Sequence, residues 1–229
     1  MKLVIGLVVK GGKQFIDKWI DNIERIKCGV IVVDNGADLD VRNKLINHKY
    51  ILQYHIQNDK DRNQSRDYQK ILDMAREEDA DWIWNLDIDE YVPEIDIEHL
   101  LNYLLNTRDD SVGVPLFEMR NDDQHYVLVA DMDGKLKHGR MCHKIYKVHS
   151  HFAFNQKDKH GSSIPHNCKA GELYFMPYQH YGHLTKEQRD QKKKEYEKFN
   201  FKNYCELKGN WMKEDDEVEI KEWGDWNKK

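Results

Sequence analysis

Residues Ala80–Val92 read ADWIWNLDIDEYV, an apolar, tryptophan-rich run that ends in three carboxylates, Asp87, Asp89 and Glu90. Trp82, Ile83, Trp84 and Leu86 suit a buried strand, expected over Asp81–Leu86, whereas carboxylates cannot stay in a core without a cation or hydrogen-bond donors. Along an extended chain Asp87 and Asp89 point the same way and Glu90 points to the other face, because side chains alternate with period two. Two carboxylates on one side of a strand tip repel each other unless something positive lies between them. A hard divalent ion with oxygen ligands is the simplest such group. A solvated Asp-x-Asp turn is the plain alternative. An EF-hand, with Asp87, Asp89 and Glu98 at its first, third and last positions, fails at Tyr91, where an oxygen donor belongs, and at Val92, where the turn glycine belongs.

The segments upstream give that strand its setting. Leu3–Val9 (LVIGLVV) is a continuous branched apolar run, as expected for a strand buried on both faces of a parallel sheet. Lys10-Gly11-Gly12-Lys13 breaks it, and Phe15, Ile16, Trp19, Ile20, Ile23 and Ile26 then recur at spacings of three and four, which predicts a helix within Gln14–Lys27. Gly29–Val33 is a second buried strand ending at Asp34, Tyr50–Ile56 a third, and Arg62–Arg76 a helix through Tyr68, Ile71, Leu72 and Ala75. Alternating strands and helices build a parallel sheet with right-handed crossovers. Ligands bind such sheets outside the carboxyl ends of the strands, where Val9, Lys10, Asp34 and the Asp87–Asp89 pair fall.

After Pro93 the pattern changes. A helix over Ile97–Leu105 precedes short strands at Val112–Glu118, Tyr126–Ala130, Met141–Val148 and Glu172–Met176, so the second half is expected to be mixed or antiparallel. A last helix begins at Thr185, with Gln188 as its capping-box partner. We expect one domain, with residues 1–110 and 111–205 as its two halves and 206–229 as a charged tail containing Trp211, Trp223 and Trp226. Those tail tryptophans are candidates for exposed stacking on a ligand or a partner protein. Asn121–Gly139 has the composition of a polar lid.

Composition removes several function classes. The 229 residues carry 41 Asp plus Glu against 36 Lys plus Arg, which argues against a nucleic-acid coat protein. Cys28, Cys142, Cys168 and Cys205 form no Cys-x-x-Cys pair and read as reduced thiols. No apolar run reaches membrane-span length, so a cytoplasmic protein is expected, with room for peripheral membrane association. The histidine pairs His149/His151, His160/His166 and His166/Cys168 match no closed zinc module. Lys10–Lys13 lacks the spacing of a phosphate loop, and no Gly-x-Gly-x-x-Gly marks a dehydrogenase.

The succession VVKGG, VVDNGA (Val32–Ala37), NQSRDYQKIL (Asn63–Leu72), WIWNLDIDEYV and HYGHLTKEQRDQKKKEY (His180–Tyr196) resembles the GT-A glycosyltransferases of the family 2 type. The resemblance implies a GT-A α/β fold: a mostly parallel N-terminal sheet with helices on both faces, and a smaller antiparallel C-terminal part, so that residues 1–110 form the nucleotide-sugar-binding half, residues 111–205 the acceptor-binding half, and the tail tryptophans can stack on a sugar acceptor. It implies a metal-dependent inverting transfer from a nucleotide-diphosphate sugar, UDP-linked by family habit, to a saccharide acceptor, with Mn²⁺ or Mg²⁺ as cofactor. Residue by residue, Asp34 matches the aspartate that hydrogen-bonds the base, and Val9, Lys10, Arg66 and Asp87 fall on the donor side. Asp87 and Asp89 match the Asp-x-Asp motif, and His180 matches the histidine that completes the metal shell, with His183 its competitor. The family's base is commonly an Asp or Glu after the later strands, and here the pattern departs from the usual Glu-Asp pair; Asp158 and His160, with Glu172 behind them, are the candidates for the base that takes the acceptor proton. Two other functions stay open at this stage: a sugar nucleotidyltransferase, and a non-catalytic carbohydrate-binding or scaffold protein on the same fold.

Overall fold

The computed structural model describes residues 1–57, 63–130, 136–155, 162–172, 176–198 and 218–227. The chain divides into two compact units. The first comprises Met1–Asp89, Glu94–Val114 and His143–Met176, and the second Glu90–Pro93, Pro115–Cys142 and Pro177–Lys229. In chain order the elements are β1 (Leu3–Gly11), α1 (Ile16–Ile26), β2 (Gly29–Ala37), α2 (Leu39–Ile46), β3 (Ile51–Ile56), α3 (Gln64–Glu77), β4 (Trp82–Asn85), β5 (Glu90–Tyr91) and α4 (Ile97–Asn106). There follow β6 (Ser111–Glu118), β7 (His125–Val127), β8 (Val129–Ala130), β9 (Leu136–Lys137), β10 (Arg140–Lys147), β11 (Ala170–Glu172), β12 (Tyr178–His180), α5 (Lys186–Lys198) and β13 (Ile220–Glu222). Among the described residues no helix is long and apolar enough to cross a membrane.

In the first unit β1 runs parallel to β2 on one side and to β4 on the other, β3 extends β2 in parallel, and β10 joins β4 antiparallel. The strands that the apolar runs predict are the buried ones: Val4, Ile5, Leu7, Val9 and Val30–Val33 have no exposed surface. Helix α3 covers one face. Its Tyr68, Ile71, Leu72, Met74 and Ala75, spaced three and four apart, share a core with Val4, Ile31, Val33 and Ile83, which alternate along their strands. Each fully buried aliphatic side chain there contributes about 1.5–3 kcal/mol relative to exposure. At the helix start Asn63 Oδ1 accepts the Arg66 amide at 3.0 Å, a cap that satisfies one otherwise unpaired N–H. Gly6 is required by close approach: a Cβ there would lie 2.6 Å from Asn85 Oδ1 and 2.8 Å from the Ile71 side chain.

In the second unit the end of β6 pairs in parallel with β12, His180 opposite Glu118, and β12 pairs antiparallel with β5, His180 opposite Glu90. Two small antiparallel ladders, β7 with β13 and β8 with β9, complete it. The capping box at the start of α5 forms as expected: Gln188 N donates to Thr185 Oγ1 at 3.3 Å and Thr185 N donates to Gln188 Oε1 at 2.9 Å. Trp223 packs edge-on against Phe117 and Tyr126, with ring centroids 5.3 and 6.3 Å away. Trp223 is half-buried there, so part of its ring packs within the unit and part stays accessible.

Two expectations change. Strand β4 stops at Asn85, and Ile88 and Asp89 form a turn, so strand alternation does not set the directions of Asp87 and Asp89. The chain leaves the sheet after Leu86, whose N–H donates to the Gly6 carbonyl at 3.1 Å and whose carbonyl accepts Trp19 Nε1 at 3.2 Å. The turn then rests on the glycine bend after β1, because Ile88 fills the space a Gly12 Cβ would need and Gly12 holds φ +95°. The strand expected over Glu172–Met176 falls mostly outside the described residues; Met176 itself is not in a strand, β11 covers Ala170–Glu172, and β12 begins at Tyr178 and carries His180.

Candidate functional site

The first unit presents polar residues at one sheet edge. Because β1, β2 and β4 are mutually parallel, their carboxyl ends lie on the same edge, with Val9 level with Asp34 and Gly6 level with Asn85. Val9 is buried, so what it can offer a ligand is its backbone, whereas the Lys10 side chain is exposed. Asp34 is fully buried and engaged on both oxygens. Oδ1 accepts the amides of Gly36 and Ala37 at 3.0 and 2.7 Å, and Oδ2 accepts Arg42 Nε at 2.6 Å and Tyr54 Oη at 2.7 Å. A carboxylate has about four acceptor sites, so a base contact at Asp34 must replace one of these donors. Burial opposes the charge on Asp34, but Arg42, the two amides and Tyr54 outweigh it and hold the carboxyl below its ordinary range.

Arg66 lies beside this strand end through a short chain of bonds. Its guanidinium donates to Asp67 Oδ1 at 2.9 and 3.1 Å, and Asp67 Oδ2 accepts Asn35 Nδ2 at 2.7 Å. The cap at Asn63 and this link tie the start of α3 to the loop after Asp34.

Beyond β4, Asp87 and Asp89 are both half-buried. Asp87 Oδ2 accepts Lys144 Nζ at 2.6 Å, and its Oδ1 accepts Tyr68 Oη at 3.4 Å. Lys144, on β10, is only 6% exposed, so the ammonium end of this ion pair is shielded from water while the Asp87 end stays partly open. Coulomb attraction is stronger in such surroundings, where the effective dielectric is lower than that of water. The sequence reading missed Lys144 and Tyr68. The available signal was a lysine in the middle of a strand whose neighbours Ile145 and Tyr146 are buried.

The second unit holds a different cluster. Glu118, His180 and His183 are, among the described residues, a group whose ligand atoms come within 4.8 Å of one another. Glu118 closes β6, His180 lies opposite it on β12, and His183 lies three residues on. One carboxylate oxygen, Glu118 Oε2, faces both rings: His180 Nδ1 at 2.5 Å and His183 Nδ1 at 3.0 Å. Arg140 Nη2 pairs with the other oxygen at 3.0 Å. Burial alone would raise the Glu118 pKa, yet His180 and Arg140 outweigh it and keep the carboxyl well below its usual range. Burial lowers the His183 pKa against the opposing pull of Glu118, which keeps that ring neutral.

Each unit by itself holds residues whose chemistry suits a divalent ion: carboxylate oxygens at Asp87 and Asp89 in the first, and in the second an imidazole at His180 whose Nδ1 is turned to a carboxylate. Asp158 and His160, the candidate bases, lie outside the described residues, as do Trp211 and Cys205.

The sequence pattern described as Glycosyl transferase family 2 matches residues 5–182. No curated protein matches the chain. Among solved structures, S. aureus TarS 1-349 in complex with UDP-GlcNAc aligns with TM-score 0.57 at 11% identity, covering 79% of this chain and 58% of that one. S. aureus TarS in its longer form aligns with TM-score 0.56 at 12% identity, over 79% of this chain and 37% of that one. The chain thus spans well under two thirds of either TarS structure. HddC from Yersinia pseudotuberculosis complexed with GMP-PN aligns with TM-score 0.50 at 12% identity, over 82% of this chain and 96% of that one. At these identities the structural matches establish a shared fold.

Proposed function

Because the chain belongs to glycosyl transferase family 2, we propose that it transfers a sugar from a nucleotide-diphosphate donor, UDP-linked, to a hydroxyl of a saccharide acceptor, with inversion and with Mn²⁺ or Mg²⁺. The observation that carries this reading is the polar edge of the first unit, where Asp34 closes β2 and the Asp87–Lys144 pair follows β4 in a parallel sheet. The carboxyl edge of such a sheet is where nucleotides bind. The solved UDP-GlcNAc complex of TarS supports it as an analogy of fold.

In this reading Val9, Lys10, Asp34, Arg66 and Asp87 serve the donor, and Asp87, Asp89 and His180 serve the metal. When bound, the metal acts as a Lewis acid toward the charge that builds on the leaving diphosphate, a contribution on the order of several kcal/mol. The chain's own residues prepare for that charge. An unpaired Asp87 would repel a diphosphate, and the Lys144 ammonium at 2.6 Å offsets this repulsion. Asp34 receives the base by exchanging Tyr54 or Arg42 for the base N–H, which keeps its acceptor sites filled. Asp158 or His160 takes the proton of the acceptor hydroxyl.

Thermal unfolding with UDP, UDP-glucose and nucleoside triphosphates, each with and without Mn²⁺, tests the reading, since a ligand bound to the native state raises apparent stability by mass action. Stabilisation by UDP that depends on Mn²⁺ is the expected result, and Asp89→Ala should remove the manganese-dependent part. Stabilisation by triphosphates alone would instead indicate a nucleotidyltransferase, and no response to any nucleotide a scaffold. Substituting Asp158 and His160 separately should stop turnover in one of the two while leaving UDP binding unchanged. Normal turnover in both variants would rule out this assignment of the base.

A further inference from the structure

We propose that Glu118 is a positioning residue that fixes the tautomer of His180, so that this ring presents its Nε2 lone pair as the ligand for a divalent cation. The proposal rests on the reading of His180 as a metal ligand and adds the group that prepares it.

The distances decide what Glu118 does. A carboxylate oxygen and an imidazole nitrogen bound to one divalent ion, each about 2.1 Å from it, stand roughly 3 Å or more apart. The 2.5 Å between Glu118 Oε2 and His180 Nδ1 is a hydrogen-bond separation with the proton between them. An ionised carboxylate only accepts. Both His180 and His183 therefore carry their proton on Nδ1, and in a neutral ring that leaves Nε2 as the basic nitrogen. The same arrangement, a ligating histidine whose second nitrogen donates to a carboxylate, orients metal ligands generally and raises their basicity.

Three features keep Glu118 in this role. It is 1% exposed, so water does not compete for its oxygens. Arg140 Nη2 lies in ion-pair range of Oε1 at 3.0 Å without hydrogen-bonding it, while both rings share Oε2. The backbone fixes the spacing as well, because Glu118 and His180 are directly opposed in the β6–β12 ladder and the Met119 amide donates to the His180 carbonyl at 2.9 Å. His180 and His183 thus meet a preformed acceptor, and no part of it has to order when a cation arrives. Of the two rings, His180 is the more accessible, at 13% side-chain exposure against 7% for His183. That makes His180 the one able to meet an incoming ion.

The test reads the tautomer directly. Long-range nitrogen–proton NMR spectra of the metal-free, histidine-labelled protein, taken on the alkaline side of both rings' titrations so that each is neutral, should show His180 and His183 protonated on Nδ1. A wild-type His180 protonated on Nε2 overturns the proposal, whether or not any variant folds. In Glu118→Ala, His180 should shift toward the Nε2-protonated form that imidazole favours in water. Mn²⁺ affinity, read by the electron paramagnetic resonance of free manganese, should fall about 10- to 100-fold. A folded Glu118→Ala protein with wild-type tautomers and wild-type affinity also overturns the proposal. His180→Ala separates the two claims: if it leaves Mn²⁺ affinity intact, His180 is no metal ligand and the cation half of the proposal falls with it, while the tautomer spectra still judge the role of Glu118.

Discussion

In the proposed reading Asp34 serves structure and ligand together. Four donors hold its carboxylate, and two of them, Arg42 and Tyr54, come from α2 and β3. Removing the acceptor in Asp34→Ala strands these donors and should cost about 1–3 kcal/mol of stability, measurable by urea denaturation. The pH dependence has a definite sign. The folded-state pKa lies below that of an ordinary aspartate, so the stabilisation by Asp34 is fully present above the ordinary carboxylate range and is lost as the pH falls through the lower folded value. Acid titration of wild type against Asp34→Asn should show a smaller loss of stability in the variant over that window. Equal losses would mean that the ionised form of Asp34 is not favoured by the fold.

At the scale of elements, the contact of β1, β4 and α3 depends on an absent side chain. Gly6→Ala would drive a methyl group into Asn85 and Ile71, and overpacking of this kind costs about 1–3 kcal/mol; a lowered midpoint in thermal unfolding checks it. In the second unit, Trp223→Ala should expose the β7–β13 ladder, seen as faster amide exchange at Tyr126 and Val127. These elements differed in how far they could be read from sequence. Strands β1 and β2 and helix α3 were legible because burial imposes continuous branched runs on the first two and a spacing of three and four on the third. Helix α2 was not delimited, since it is eight residues long and buries only Val41 and Leu45. The end of β4 was misplaced at Leu86 because a turn held by a tryptophan N–H and a distant glycine leaves no periodic trace.

For the whole molecule, sequence order alone brought Asp34, Asp87 and Asp89 to one sheet edge, since parallel pairing follows from alternating strands and helices. It could not reveal Lys144 as the partner of Asp87, or Glu118 as the partner of His180. Those contacts join residues 57 and 62 positions apart, and no local pattern encodes such a distance. In the function proposed for this family 2 chain, affinity for uridine diphosphate depends on a divalent ion. The most direct measurement is calorimetric titration of UDP into the protein with Mn²⁺ and again after chelation. The account predicts saturable binding with manganese and at least about a tenfold weaker affinity without it, a difference of about 1.4 kcal/mol. Equal affinity in both conditions, or no binding of UDP in either, would contradict it.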